Sequence, residues 1–304
     1  MKKALVIHHD ADFDGIFSKE VCQYHLAKAG YEVKTIGWDY GRPEPIEDWT
    51  QYSIIFIIDI SLDGLLQNKA LWPKLRWIDH HKTAIDKFNS DIPGYRIDGV
   101  AACRLGWQWF IYGQEGNLPT KEDYTERRVA EPYLLRLVGE YDIWDHRDPN
   151  ALILQSGLRQ LEPQEFEELV RLQFEELQDR DLCLENCLTI GRRAKKASDA
   201  ANASISTKFS HDVRWNGLTF LCLNSAHFNS QTFTAAIKPH HQALMGWRYD
   251  GQQKRCTVSL YHAPGQESFD LSVFAKAEGG GGHRGACGFQ CSLTKLQDII
   301  EGPK

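Results

Sequence analysis

The chain has 304 residues, 42% of them hydrophobic and 25% charged, the balance of a globular protein with room for one large domain or two ordinary ones. Its net charge of -6 argues against a sequence-independent duplex binder, which is more often basic, but not against an enzyme whose carboxylates are offset by bound cations. No stretch is long and apolar enough to span a bilayer, and the short apolar run before His8 is too small for a signal-peptide core, so the expected setting is cytoplasmic with no membrane partner.

In chain order, residues 4–7 form a short apolar run that predicts a strand. Residues 15–29 carry apolar side chains at helical spacing (Ile16, Phe17, Val21, Leu26) and stop at Gly30. Residues 31–36 alternate as a strand does, and 53–60 are an apolar, β-branched run of the kind buried on both faces of a parallel sheet. Residues 62–71 predict a helix and 76–78 a short strand. This alternation predicts an α/β fold whose N-terminal sheet is mostly parallel and flanked by helices.

From about 100 to 209 the pattern is helical, with an acidic amphipathic helix over 165–178 and a long linker helix over 186–209. Arg192, Arg193, Lys195 and Lys196 on the linker read as a solvated face rather than a binding surface. None of the eight cysteines forms a CxxC pair; Cys183 and Cys187 share a helix face but lack the partner pair of a zinc site. The thiols are expected to be reduced and mostly buried. Residues 218–223, 243–249 and 256–262 then predict strands, and 232–238 and 268–276 helices, which together make a smaller C-terminal α/β domain. The expected divisions are 1–185, 186–209 and 210–304.

Four clusters carry chemistry. The first is His8-His9-Asp10-Ala11-Asp12-Phe13-Asp14-Gly15, between a strand and a helix, where ligands bind in a parallel sheet. Its carboxylates and imidazoles repel one another or face desolvation without cations, and mixed oxygen and imidazole donors suit Mn2+, Mg2+ or a related ion. An acidic turn capping the helix is the plainer reading. The second is Asp59, ending the most apolar strand; a carboxylate there must be paired or metal-bound. The third is Asp79-His80-His81, again after a strand, where an imidazole can bind metal while Asp79 orients the pair. The fourth is the run Gly279-Gly280-Gly281-Gly282-His283-Arg284. It predicts a loop whose backbone N–H groups approach phosphate closely, with Arg284 suited to bidentate phosphate recognition.

His8-x-x-Ala11-Asp12-x-Asp14-Gly15, the strand-terminal Asp59 and Asp79-His80-His81 resemble the first three motifs of the DHH phosphoesterases, and the stretch from Phe274 through the glycines and His283 to Cys287-Gly288-Phe289 resembles the DHHA1 substrate motif. The likeness spans nearly the whole chain, with the motifs in family order. It implies a DHH catalytic domain, a linker helix and a DHHA1 substrate-binding domain over the divisions above. It implies two divalent ions, Mn2+ first with Mg2+ or Co2+ as alternatives. His8, Asp12 and Asp59 would hold one; Asp14, Asp59, His80 and a later aspartate, Asp142 before Asp145 or His146, would hold the other, with Asp59 bridging. His81 would contact the scissile phosphate with Asp79 behind it, and Gly280, Gly281, Gly282, His283 and Arg284 would bind substrate. Ala11 stands where many members have Pro, and Cys287 where Ala is usual.

The activity implied is hydrolysis of phosphodiester bonds in short oligonucleotides or nucleotide phosphoesters by a water activated between two cations about 3.5–4 Å apart, in an exonuclease-like manner. Nine tryptophans offer base-stacking surface, although Trp107 and Trp109 sit on a helical pattern that reads as core. The alternatives are an inorganic pyrophosphatase-like phosphohydrolase and a non-catalytic nucleotide-binding sensor, the latter disfavoured by the intact ligand set. The expected partners are a short nucleic acid or nucleotide substrate, with a homodimer as the candidate assembly.

Overall fold

The computed structural model describes residues 2–88, 91–113 and 116–302. Strands β1 (Lys2–His9), β2 (Tyr31–Trp38), β3 (Ile54–Ile58), β4 (Leu75–Asp79) and β5 (Gly94–Arg96) form one sheet in the order β2-β1-β3-β4-β5, and every pairing in it is parallel. Alternate residues point to opposite faces, and both faces are covered. Ala4 and Val6 of β1 pack with Phe56, Ile58 and Ile78 on one side, and Leu5 and Ile7 with Ile55, Ile57 and Trp77 on the other. That is why these strands read as continuous apolar runs rather than alternating ones.

Helix α1 (Phe13–Lys28) follows β1 directly, α2 (Asp63–Leu66) follows β3, and α3 (Lys82–Lys87) follows β4. The helix expected over 62–71 is cut short at Leu66; Lys69–Leu71 forms a separate 3₁₀ turn capped by the Asn68 side chain. Three-residue β5 carries a glycine and no apolar run, so periodicity gives it no signal. Helices α4 (Ala102–Tyr112), α5 (Lys121–Thr125), α6 (Tyr133–Asp142), α7 (Asn150–Leu158), α8 (Pro163–Phe174) and α9 (Arg180–Phe209) complete the helical stretch. Leu134, Leu137 and Val138 of α6 pack with Leu154, Leu169, Leu184 and Leu188 and with Phe17 and Val21 of α1.

The chain divides into two units, Met1–Ala194 and Lys195–Lys304, so the division falls inside α9. This helix begins at Arg180 rather than near 186 because its first turns bury Leu184, Cys187 and Leu188 in the first unit's core. In the second unit, β6 (His211–Trp215), β7 (Leu218–Asn224), β8 (Ala243–Asp250), β9 (Arg255–His262), β10 (Gly281–His283) and β11 (Ala286–Cys291) form a sheet in the order β10-β11-β9-β8-β7-β6. Helix α10 (Ser272–Ala277) is shorter than the expected 268–276, and α11 (Leu293–Glu301) closes the described chain. The helix expected over 232–238 is only a 3₁₀ turn, Ser230–Phe233, fixed by an Asn229 cap. All eight cysteines are free thiols, six of them buried. Among the described residues no helix is long and apolar enough to cross a membrane.

One buried ion pair sets the path from α4 to α6. Arg104 Nε donates to both carboxylate oxygens of Glu131 at 3.1 and 3.0 Å, and both side chains are almost fully buried. Glu131 lies immediately before Pro132, the N-cap of α6, so the pair fixes where α6 starts and where Asp142 at its end falls. Replacing one member leaves the other charged and unpaired in the core. Arg104→Met is therefore expected to lower unfolding stability by about 3–5 kcal/mol in denaturant titration; a loss below about 1 kcal/mol would show that the pair does not hold this region.

Candidate metal centre

The carboxyl ends of β1, β3 and β4 lie side by side in the sheet, and each ends in acidic or histidine residues. Such ends are where an open parallel sheet binds ligands. Asp12 caps α1, accepting from Gly15 N at 3.0 Å through Oδ1, while its Oδ2 lies 3.1 Å from His9 Nδ1. The capping reading is thus correct but uses only one oxygen. Gly15 admits no side chain, because a Cβ there would sit 2.1 Å from the His9 carbonyl oxygen. Asp14, buried, accepts from the first backbone N–H groups of α4, Ala102 N and Cys103 N, both at 2.8 Å. A helix N-terminus favours a carboxylate in that position.

Asp59 is the centre of the arrangement. It is 1% exposed, and neither carboxylate oxygen has a hydrogen-bond partner. Its backbone is left-handed, with φ of +60°, a conformation that Asp and Asn tolerate better than most residues. Oδ2 faces His9 Nδ1 at 3.6 Å and Oδ1 faces His80 Nε2 at 3.3 Å. His80 Nε2 also lies 3.6 Å from Asp14 Oδ2 and 3.4 Å from Asp142 Oδ2. Three groups of candidate ligands therefore meet here, each with donor atoms within 4.8 Å of one another: His9 with Asp12 and Asp59, Asp14 with His80 and Asp142, and Asp59 with His80 and His81.

Burial, followed by the negative charge of Asp14, pushes the carboxyl pKa values of Asp59 and Asp142 well above the usual range. Burial alone would lower the His9 pKa, yet the Asp12 and Asp59 carboxylates beside Nδ1 raise it to about 11. The donor set, hard carboxylate oxygens plus imidazole nitrogen, fits Mn2+ or Mg2+, and a cation would serve the Asp59 oxygens that no protein group hydrogen-bonds.

Asp79 is an orienting group. Its Oδ1 accepts from His80 N at 2.7 Å, His81 N at 3.1 Å and His81 Nδ1 at 2.8 Å, and its Oδ2 accepts from Trp77 Nε1 at 3.1 Å. His81 Nδ1 is thereby fixed and Nε2 is left for other work. Burial lowers the His81 pKa, but the Asp79 hydrogen bond outweighs it and the net shift is upward.

The structure differs from the sequence expectation at His8. Its ring nitrogen Nδ1 bonds the His9 carbonyl oxygen at 2.8 Å, and His8 belongs to none of the candidate groups. Neighbouring strand residues face opposite ways, so only one of the two histidines can turn toward Asp59, and that one is His9. Its other nitrogen, Nε2, lies 3.3 Å from Asp39 Oδ1, the arrangement that orients a metal-binding imidazole from behind. Asp39 follows the last residue of β2 and went unremarked in the sequence, although the strand-end rule that picks out Asp59 and Asp79 applies to it equally. Asp142 Oδ2 lies beside His80, whereas Asp145 is held by the Arg147 guanidinium, with Nε at 2.8 and 3.0 Å from its two oxygens.

The second unit differs too. Gly281–His283 is not a loop but strand β10, paired antiparallel with β11 across the turn at Arg284-Gly285. Gly282 has φ of +127°, and a Cβ there would come within 2.6 Å of Cys287 Cα, so close strand packing demands glycine. Gly280 N–H donates to Ala275 O at 2.8 Å, closing α10, and is not free for phosphate. Arg284 is engaged as well. Its guanidinium donates to the carbonyls of Glu267, Ser268 and Phe269 at 2.9–3.3 Å.

Asp212, His240 and His241 form a further three-residue group in this unit. Lys238 N–H donates to His241 Nδ1 at 2.8 Å, so the proton of the neutral ring sits on Nε2 and donates to Asp212 Oδ1 at 2.9 Å. That nitrogen has no lone pair for a cation, and hydrogen bonding alone accounts for the cluster.

No family model matches the chain, and no curated protein matches it either. Solved structures do. Exonuclease RecJ bound to manganese aligns over 98% of this chain and 88% of its own, at 13% identity and TM-score 0.50. RecJ from Thermus thermophilus, in complex with Mn2+, aligns over 98% of this chain and 51% of its own, at 14% identity and TM-score 0.51. At such identities the likeness concerns the fold alone: a parallel-sheet unit and a smaller mixed-sheet unit.

Asp59→Asn separates a ligand from a structural carboxylate, since Asn accepts the same left-handed backbone. Without divalent ions the variant is expected to be more stable than wild type at neutral pH by about 1–3 kcal/mol, through loss of a buried carboxylate that Asp14 repels. A carboxyl group whose folded pKa lies above its unfolded value stabilises the fold when protonated, and that stability is lost as pH rises through the folded pKa. Metal-free wild type should therefore lose stability on going from acid towards neutral pH, and the variant should lose less. Mn2+ at 100 times its Kd should stabilise wild type by about 2.7 kcal/mol and the variant far less. Equal stabilisation of both by Mn2+ in thermal melts would remove Asp59 from the centre.

Proposed function

We propose that the chain is a divalent-metal-dependent phosphodiesterase that hydrolyses short oligonucleotides or nucleotide phosphoesters. The observation that carries this reading is Asp59, a buried carboxylate with neither oxygen hydrogen-bonded, set between the His9–Asp12 and His80–Asp14–Asp142 groups. The manganese-bound RecJ exonucleases that share the fold lend support. In this proposal His9, Asp12 and Asp59 would hold one cation, and Asp59, Asp14, His80 and Asp142 the other. His9 takes the role first given to His8.

Divalent cations held by His9, Asp12, Asp14, Asp59, His80 and Asp142 would supply positive charge against a phosphodiester and lower the pKa of a water. The protein's own residues do the rest. Asp39 and Asp79 fix the rings of His9 and His81 through the nitrogens that face them, so that neither ring must reorganise when substrate arrives. His81 keeps its Nδ1 proton on Asp79 and offers Nε2 to a non-bridging phosphate oxygen; its raised pKa favours the protonated, donating form. The backbone N–H groups of α4 hold Asp14 in register, so its second lone pairs can serve a cation without rotation. In the second unit, strand β10 has β11 on one side and no strand on the other among the described residues. Gly281, Gly282 and His283 on it are the proposed substrate contacts, with Arg284 bracing the turn from behind.

The test is hydrolysis with Mn2+ across a panel: di- to pentaribonucleotides, a long single-stranded DNA, cyclic dinucleotides, 3′-phosphoadenosine 5′-phosphate and pyrophosphate. Turnover is expected on the short nucleic acids or nucleotides and to be abolished by EDTA. His81→Gln should lower kcat about 10²–10³-fold, the cost of one transition-state donor. Exclusive cleavage of pyrophosphate would move the protein to a different substrate class, and activity untouched by EDTA would contradict the metal centre.

A further inference from the structure

The loop after β2 carries a side chain that the metal centre does not use. Tyr40 is 51% exposed, yet it is held at both ends. Its hydroxyl lies 3.2 Å from Ser61 Oγ and accepts from Ser61 N at 3.2 Å, and Ser61 is two residues beyond Asp59. Its ring meets the edge of Trp38, centroids 5.4 Å apart at 68°, and lies 6.4 Å from the His9 ring. The loop itself is pinned: Trp38 Nε1 donates to Pro43 O at 2.9 Å, and Arg42 Nη1 to Asp10 Oδ2 at 2.8 Å. A scattered exposed aromatic is ordinary. One whose hydroxyl is tied next to a candidate metal ligand, with its ring left open to solvent, is a rigid platform beside the reacting phosphate.

We infer that Tyr40 is a specificity-determining residue that receives the nucleobase, so that the site takes nucleoside-bearing phosphodiesters and discriminates against phosphates without a base. This deepens the phosphodiesterase reading above and rests on it for the position of the phosphate. Every base presents a π face, so a tyrosine platform accepts many sequences, and a ring whose two torsions are already fixed loses little entropy on contact. Inorganic pyrophosphate has nothing to place there. The anchored hydroxyl sets the ring angle, while the ring supplies the contact.

The experiment measures binding without turnover. A linear dinucleotide with a methylenephosphonate linkage and its abasic counterpart are titrated calorimetrically, with Mn2+, into wild type, Tyr40→Ala and Tyr40→Phe. Wild type should bind the base-bearing ligand about ten-fold tighter than the abasic one, a typical ratio for one base stacked on an aromatic ring. Tyr40→Ala should bring that ratio close to one, and Tyr40→Phe, which keeps the ring, should retain most of it. An unchanged ratio in Tyr40→Ala, a wild-type ratio near one, or equal weakening of both ligands at a preserved ratio would each overturn the inference. Turnover of the natural dinucleotide is measured in parallel; wild type that binds with the predicted preference but hydrolyses nothing would contradict the phosphodiesterase reading while leaving the base contact standing.

Discussion

A carboxylate cannot be buried at the end of an apolar strand without something to neutralise it. Asp59 is placed there by β3, whose residues are covered on both faces of the sheet, and no protein group hydrogen-bonds either of its oxygens. The surrounding residues follow from that constraint. His9 and His80 face its two oxygens from neighbouring strands, Asp12, Asp14 and Asp142 stand behind them, and a second tier of Asp39, Asp79 and the α4 N-terminus fixes the first. The carboxylates concentrated there repel one another, and the proposed cations would balance that charge.

The fold serves this cluster in two ways. Parallel pairing brings the carboxyl ends of β1, β3 and β4 level with one another, so residues distant in sequence become neighbours. The helical half then supplies the remaining aspartate: α6 is located by the buried Arg104–Glu131 pair and ends at Asp142, 3.4 Å from His80. In this account the left-handed backbone at Asp59 is strain kept at a functional position by the sheet around it.

Much of the cluster is legible in the sequence because its logic is local. A strand-length apolar run followed by Asp or His marks a strand end, and Asp12, Asp14, Asp59, Asp79, His80 and His81 are all found that way. What is illegible depends on orientation or on distant partners. Strand alternation requires that one of His8 and His9 face Asp59 but does not say which; the close approach of Gly15 to the His9 carbonyl belongs to the fold. Arg284 looks like a phosphate ligand by composition, yet three carbonyls some fifteen residues upstream take its donors. The four-glycine run reads as an open loop because glycine carries no periodicity, whereas its glycines permit a close-packed hairpin. Tyr40 stands out only once its hydroxyl is seen on Ser61, 21 residues away.

The most direct test of the account is a crystal of the full chain grown with Mn2+ and measured at the manganese absorption edge. Two anomalous peaks are predicted, one against His9, Asp12 and Asp59 and one against Asp14, His80 and Asp142, with Asp59 touching both. Manganese at Asp212, His240 and His241 with none at Asp59, or a site in which His8 replaces His9, would contradict it.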